Sequence, residues 1–224
     1  MSTCLILGAS RGIGHELARQ YAADGDRVIA TYRRADNAAN LAGFCARSIE
    51  VDLIQATCVP TLARQLAGES IDLAIVVAGV SGPKSADLAP PEPADFDVVM
   101  HTNVLVSMQL IPLLADRLVA TRGKLAVISS RMGSIGNTTD SSWWLYRASK
   151  AALNSVLKCA SVELGRRGVV CMALHPGWVR TDMGGPGANL PVEESAASMR
   201  RVIAAANRSH NGRFLNYNGE QLEW

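Results

Sequence analysis

Seven short runs of consecutive apolar residues, separated from one another by helix-period stretches, constrain this chain most. The runs are Cys4-Leu5-Ile6-Leu7 closed by Gly8, Arg27–Tyr32 after the Asp24-Gly25-Asp26 turn, Ser48–Leu53 and Leu73–Ala78. Lys124–Ser129, Val169–Leu174 and Arg213–Tyr217, stopped by Asn218-Gly219, complete the set. Runs that are continuous rather than alternating belong to strands buried on both faces. Helical patterns separate them, over about 13–23, 36–44, 55–67, 93–120, 147–166 and 192–206. Regular strand–helix alternation predicts a parallel seven-stranded sheet with helices on both faces, a doubly wound α/β domain. Across 224 residues there is no repeat, low-complexity tract or linker, and Pro90-Pro91-Glu92-Pro93 reads as a loop before a helix. One domain spanning 1–224 is expected.

Charge and cysteine usage exclude several classes of function. A formal net charge of +2, with arginines 11, 19, 27, 33 and 34 scattered through apolar pattern, gives no footprint for nucleic acid or an anionic membrane. Cys4, Cys45, Cys58, Cys159 and Cys171 form no C-x-x-C pair, and the four histidines lie far apart. Free thiols in a reducing compartment and no metal site are therefore expected. The first glycine loop begins at Gly8, leaving no room for a signal peptide. The longest apolar run, Leu73–Val80, falls far short of the ~20 residues of a membrane helix. A soluble, cytoplasmic protein is the expectation.

Gly8-Ala9-Ser10-Arg11-Gly12-Ile13-Gly14 lies between the first strand and the first helix. Glycines there permit a tight turn and a close backbone approach to a pyrophosphate resting on the helix N-terminus, although such turns need glycine for structural reasons too. In a Rossmann-like domain this predicts dinucleotide binding. NAD preference usually places an acid at the end of the second strand. Here that strand ends Thr31-Tyr32-Arg33-Arg34, with no carboxylate before Asp36. Arg33 and Arg11 suit a 2′-phosphate, so NADPH/NADP is favoured over NADH; the competing reading makes Arg33 and Arg34 solvated loop charges.

Tyr146-Arg147-Ala148-Ser149-Lys150 opens a strongly helical stretch, and residues four apart share a helix face. A phenol of pKa near ~10 is a poor acid at neutral pH. A neighbouring ammonium favours the phenolate and is expected to bring that pKa down. By itself the pair could equally be a surface contact.

Gly8-x-x-x-Gly12-x-Gly14, Asn103, Ser129-Ser130, Tyr146-x-x-x-Lys150 and Pro176-Gly177 occur in this order on the expected elements. The pattern closely resembles the short-chain dehydrogenase/reductase family over essentially the whole chain. Ser-Arg-Met-Gly-Ser-Ile-Gly, Tyr-Arg-Ala-Ser-Lys-Ala-Ala-Leu-Asn and His-Pro-Gly-Trp-Val-Arg-Thr-Asp-Met-Gly-Gly-Pro narrow the likeness to the branch of sniffer carbonyl reductases and C-factor-like proteins. The C-terminal Tyr-Asn-Gly-Glu-Gln-Leu-Glu-Trp fits the same branch.

The resemblance implies a carbonyl reductase for an aldehyde, ketone or quinone, with Tyr146 as general acid and Lys150 lowering its pKa and holding the nicotinamide ribose. Ser130 would hydrogen-bond the substrate oxygen, with Ser129 turned to the other side by strand alternation. Asn103 would hold a water in a relay to Lys150, or else simply cap or bend its helix. Gly8, Ser10, Arg11, Gly12, Ile13, Gly14 and Arg33 would contact the dinucleotide. Asp52 and Leu53 would flank its adenine, Ala78 and Gly79 its ribose, and Pro176, Gly177, Val179 and Thr181 its carboxamide end. A homodimer or homotetramer through the long helices is implied, and so is an alternative role as a dinucleotide-binding signalling protein with secondary catalysis.

The chain departs from the family in several places. Val76-Val77-Ala78-Gly79 replaces Asn-Asn-Ala-Gly, and Leu7 replaces a threonine. The segment 134–145 is longer and carries Trp143 and Trp144, which would line the pocket or a dimer surface. The short Gly184-Gly185-Pro186-Gly187 stretch suggests a mobile, open pocket. His175 reads as structural rather than catalytic.

Overall fold

In the computed structural model, which describes residues 1–85 and 88–224, the apolar runs form one seven-stranded sheet. Its strands are β1 (Thr3–Leu7), β2 (Arg27–Tyr32), β3 (Arg47–Glu50), β4 (Leu73–Val76), β5 (Lys124–Ile128), β6 (Val170–His175) and β7 (Arg213–Asn216). The order is β3-β2-β1-β4-β5-β6-β7, and every pair is parallel. The order reverses direction beside β1, between β2 and β4. In open α/β sheets ligands bind at that switch point, beyond the carboxyl ends of the strands.

Alternate strand residues feed two separate cores. Leu5, Leu7, Val76, Val127 and Cys171 face one side with Leu62, Leu110, Leu114, Leu153 and Leu157. Ile6, Ala30, Ile75, Ile128 and Met172 face the other with Leu17, Leu41, Met199 and Ile203. The first side is covered by α3 (Cys58–Gln65), α5 (Val106–Thr121) and α6 (Trp144–Arg166), the second by α1 (Gly12–Ala23), α2 (Ala38–Ala42) and α7 (Val192–Ala205). Burial on both faces explains why the strands carry no polar alternation.

Four helical segments differ from the sequence reading, and β3 and β4 end at Glu50 and Val76, before the expected Leu53 and Ala78. The segment 36–44 is a 3₁₀ turn, Ala35–Asn37, followed by the five residues of α2; only Leu41 is buried there, too little apolar face for a longer helix. α3 is shorter than 55–67, and α6 starts at Trp144, not 147, because Trp143 takes a left-handed conformation (φ 59°) and turns the chain into the helix. The stretch 93–120 is α4 (Pro93–Met100), a π-helical turn over His101–Leu105 and then α5. Together these span 29 residues, apolar enough by composition to cross a bilayer, a feature the run-length criterion missed. Val99, Val106, Leu110, Leu114 and Leu118 of this helix are instead buried in the protein.

Candidate active site

The glycine loop leaves β1 at the switch point. The Gly8 N–H donates to Thr31 Oγ1 at 2.9 Å, and the Ala9 N–H to the Thr31 carbonyl at 2.8 Å, so the end of β2 is stapled to the loop. The Arg33 N–H donates to Ser10 Oγ at 3.4 Å, which holds Arg33 beside the same loop. Gly14 packs α1 directly onto the Gly8 carbonyl, where any side chain would collide with backbone. Arg11 is the N-cap of α1 and supplies no side-chain cap, and the first turn contains no acid. The first N–H groups of α1 and the positive end of its dipole therefore remain for an anion.

The other predicted cofactor contacts rim this cleft. The Val77 and Ala78 N–H groups both donate to the Leu7 carbonyl, at 2.9 and 3.1 Å, so Ala78 and Gly79 lie beside the loop. Asp52 and Leu53 follow β3; the Asp52 carboxylate accepts from the Ile54 N–H at 3.3 Å and Leu53 is buried. Thr181 lies against the loop, since a Cβ on Gly12 would come 3.3 Å from its Cγ2. Pro176 is anchored by the Ser195 hydroxyl donating to its carbonyl at 2.6 Å, and Val179 is buried. Of the two proposed phosphate-facing guanidiniums, only Arg33 is without an ion pair among the described residues. Arg11 is paired with Asp182, and Arg34 lies 3.4 Å from Asp36.

The segment from Pro176 to Val192 is not an open ribbon. The Arg180 N–H donates to the Leu190 carbonyl at 2.9 Å and the Leu190 N–H to the Trp178 carbonyl at 3.1 Å. The Arg180 guanidinium adds a bond to the Ala188 carbonyl at 2.9 Å. This pins the neck of the loop, with Trp178 at the neck and Met183 beyond it both exposed.

Across the cleft, β5 ends in Ser129-Ser130. Ser129 Oγ donates to Asn154 Oδ1 at 2.6 Å, turning it towards α6 and away from the cleft. Ser130 caps a 3₁₀ turn, Arg131–Gly133, accepting from the Met132 N–H at 3.2 Å. Gly133 lets this turn sit on α6: a Cβ there would be 2.7 Å from the Lys150 carbonyl carbon. Asn154 Nδ2 donates to the Gly133 carbonyl at 3.2 Å and fastens the contact. Ser130 thereby faces the Tyr146 phenol.

Lys150 is buried, and its Nζ donates to the Ile128 carbonyl at 3.0 Å and lies 5.7 Å from the centre of the Tyr146 ring. Burial lowers its pKa to about 8. The expected fall in the Tyr146 pKa is reversed: burial pushes the phenol up, with the Ser130 hydroxyl pulling weakly the other way. Desolvation disfavours the phenolate more than its neighbours favour it.

Asn103, in the π-helical turn, is 1% exposed. Its amide donates to the Val80 carbonyl at 2.8 Å and to Ser149 Oγ at 2.9 Å, and its Oδ1 accepts from the Val80 N–H at 2.8 Å. Both amide protons are thus spent on protein, so the side chain braces the loop after β4 rather than donating to a water. Its Oδ1 and Lys150 Nζ would each lie 3.3 Å from a Cβ on Gly79, so the asparagine and the lysine border the same small space. Ser149, which also donates to the Tyr146 carbonyl at 2.8 Å, and Asn154 were missed in the sequence. The signal was present: Tyr146, Ser149, Lys150 and Asn154 share one helix stripe, polar where α6 should be apolar.

The residues at hand fit a nicotinamide dinucleotide: an acid-free helix N-terminus, a loop with no room for a side chain at Gly8 or Gly14, and a phenol–ammonium pair bordering Gly79. Among the described residues no cluster of metal-ligating side chains is found. Comparison with known proteins agrees with this geometry. Residues 2–188 match the model of the short chain dehydrogenase family. The chain is 42% identical to C-signal of Myxococcus xanthus over 158 residues, covering 69% of this chain and 93% of that protein. A carbonyl reductase from Pseudomonas aeruginosa PAO1 in complex with NADP superposes with a TM-score of 0.88 at 36% identity, covering 100% of both chains. The carbonyl reductase Sniffer of D. melanogaster does so at 0.86 and 29%, again over 100% of both.

Proposed function

The chain belongs to the short-chain dehydrogenase family, and we propose that within it the protein is an NADPH-dependent reductase of aldehydes, ketones or quinones. One observation carries this reading: the buried Lys150 ammonium lies 5.7 Å from the centre of the Tyr146 ring and borders Gly79, next to Ala78, whose N–H donates to the Leu7 carbonyl at the end of β1. Arg33, with no acid at the end of β2 and no ion pair among the described residues, supports NADP over NAD. The likeness to an NADP-bound carbonyl reductase points the same way.

Bound in the cleft, the reduced dinucleotide supplies the hydride. Tyr146, kept protonated by burial, donates its proton to the carbonyl oxygen as negative charge develops there. Ser130 donates a hydrogen bond to that oxygen and fixes its position against the phenol. Lys150, held by the Ile128 carbonyl, presents a buried cation that steadies the phenolate once the proton has left. Ser149 and Asn103 hold the turn of α6 that carries both groups.

The likeness to C-signal supports a second reading, a dinucleotide-binding signalling protein with secondary catalysis. Exposed Leu105 and Met108 on the long helix and Val162 on α6 support self-association as a homodimer or homotetramer. Five free thiols are in keeping with a cytoplasmic setting. The test is a tryptophan-fluorescence titration with NADPH and NADH, followed by turnover on a carbonyl panel with wild type and Tyr146→Phe. Preference for NADPH with Tyr146-dependent turnover upholds the reductase. NADPH binding with no turnover on any carbonyl moves the weight to signalling.

A further inference from the structure

We infer that Trp224 is a positioning residue for Ser130: its main-chain oxygen clasps the segment that follows the Ser130 turn, and its ring fixes that oxygen against β7. The role rests on the reductase reading, which gives Ser130 the carbonyl oxygen to hold. Tyr217–Trp224 is also a motif to which the glycine loop and the tyrosine–lysine pair assign no task.

From Ser130 the chain runs through two successive turns. In the first, the Gly133 N–H donates to the Ser130 carbonyl at 2.8 Å and the Ser134 N–H to the Arg131 carbonyl at 3.0 Å. In the second, Asn137 donates to Ser134 Oγ through its N–H at 3.2 Å and its amide at 2.8 Å, and the Thr138 hydroxyl donates to the Ser134 carbonyl at 2.9 Å. Asn154 fastens the first turn to α6. Among the described residues the second turn has one hydrogen-bonding partner outside this segment, the main-chain oxygen of Trp224. It accepts from the Ile135 N–H at 3.1 Å, the Gly136 N–H at 3.2 Å and the Ser134 hydroxyl at 3.4 Å. Ser134 is 1% exposed, so its hydroxyl proton has that oxygen in place of solvent.

Trp224 is itself anchored. The chain folds back along β7, with the Asn216 N–H donating to the Glu220 carbonyl at 2.7 Å and the Leu222 N–H to the Phe214 carbonyl at 2.8 Å. Leu222 joins the core beneath α3, α5 and α6. The Trp224 ring stacks on buried Phe214, with centroids 5.5 Å apart and planes 21° from parallel. Lys158 Nζ, from α6, lies 5.9 Å from a Trp224 ring centre and donates to the Gly212 carbonyl at 3.2 Å. An aromatic stack and a cation near the ring hold a tryptophan beyond its buried area. The ring belongs to neither core, so its removal leaves Leu222 and Phe214 in place and frees the oxygen. Ser134–Thr138 then loses its outside partner, and the Ser130 turn frays from its downstream end.

The test measures kcat on a reduced aldehyde and NADPH affinity for Trp224→Ala and Trp224→Phe, each in the wild-type background and in Ser130→Ala. Trp224→Ala should lower kcat roughly 10-fold in the wild-type background, the effect of a displacement of a fraction of an ångström, with NADPH affinity retained. In Ser130→Ala the same change should cost less than about 2-fold, because the group it positions is gone. Trp224→Phe, which keeps the stack, should recover most of the loss. Equal losses in both backgrounds, or no loss in either, overturn the inference. Native-state hydrogen exchange needs no turnover and decides where Ser130→Ala leaves no measurable rate. Trp224→Ala should speed exchange at Ile135 and Gly136 roughly 10-fold, and with them at Met132, whose N–H donates to Ser130 Oγ. Unchanged exchange at Met132 overturns the inference. Faster exchange there in a protein that reduces no carbonyl upholds the clasp and counts against the reductase reading alone. Ser134→Ala, which takes one donor out of the same clasp, carries both comparisons should Trp224→Ala not fold.

Discussion

Gly133→Ala should disable the site without removing a reacting group. The new methyl would stand 2.7 Å from the Lys150 carbonyl carbon, 2.8 Å from Lys150 Cβ and 3.0 Å from the Ala151 nitrogen. Ordinary contact begins at 3.4 Å, so the Arg131–Gly133 turn must retreat from α6 by 3.4 − 2.7, about 0.7 Å. Backbone lies on both sides, and no flexible side chain absorbs the shift. Overpacking of this kind costs about 1–3 kcal/mol, and at about 2–4 °C per kcal/mol in a chain of this size the Tm should fall by about 2–12 °C. Ser130, tied to the turn through the Met132 N–H, moves with it. A displacement approaching 1 Å costs about 100-fold in rate, so kcat on an accepted carbonyl should drop about 10–100-fold. NADPH affinity should hold, because the loop, Arg33 and α1 lie on other strands. Thermal melts, steady-state kinetics and an NADPH titration read all three. A variant with wild-type Tm and kcat would refute the packing argument, and a loss confined to NADPH affinity would show that the turn serves the cofactor instead of Ser130.

Other outcomes follow from the same geometry. Tyr146→Phe should lower kcat about 10²–10⁴-fold while NADPH binding, read by fluorescence, is retained. Arg33→Ala should weaken NADPH roughly 10–100-fold and leave NADH unchanged, whereas Arg34→Ala, whose partner is Asp36, should change the NADPH/NADH ratio far less. Burial lowers the Lys150 pKa from 10.5 to about 8, so between those values the unfolded chain binds more protons than the folded one. The contribution of Lys150 to stability therefore rises with pH across that window and is unfavourable below it. Lys150→Met should melt higher than wild type at pH 7, with the gap closing as the pH is raised from 8 to 10; a gap independent of pH would contradict the assigned burial cost.

What could be read from the sequence were the features set by short covalent spacing. The glycine loop follows β1 by chain connectivity, and Tyr146 and Lys150 share a face by helix period alone. Features that depend on what packs against a residue were not readable. Asn103 sits in a helix-period stretch, and only the Val80 backbone and Ser149, 23 and 46 residues away, turn it into a brace inside a π-helical turn. Trp143 enters the left-handed region without being glycine, so nothing in the local composition announced that α6 begins at Trp144. Lys150 in the i+4 position suggested a depressed phenol pKa, yet burial depends on the elements enclosing the ring and reverses the sign.

That reversal bears on the direction of the proposed chemistry. A general acid must carry its proton before the reaction, and burial gives Tyr146 that state well past neutral pH. The same burial lowers Lys150 to about 8, below the raised phenol, so the ammonium is the stronger acid of the two. Desolvation acts on an acid of neutral protonated form and a base of charged protonated form in opposite directions, so the same enclosing elements move the two pKa values apart. The Ser130 hydroxyl neighbours the phenol, and the Ile128 carbonyl holds the ammonium. The enclosing elements, α6 and the turn fastened to it by Gly133 and Asn154, thereby favour the protonation states that the proposed reduction requires.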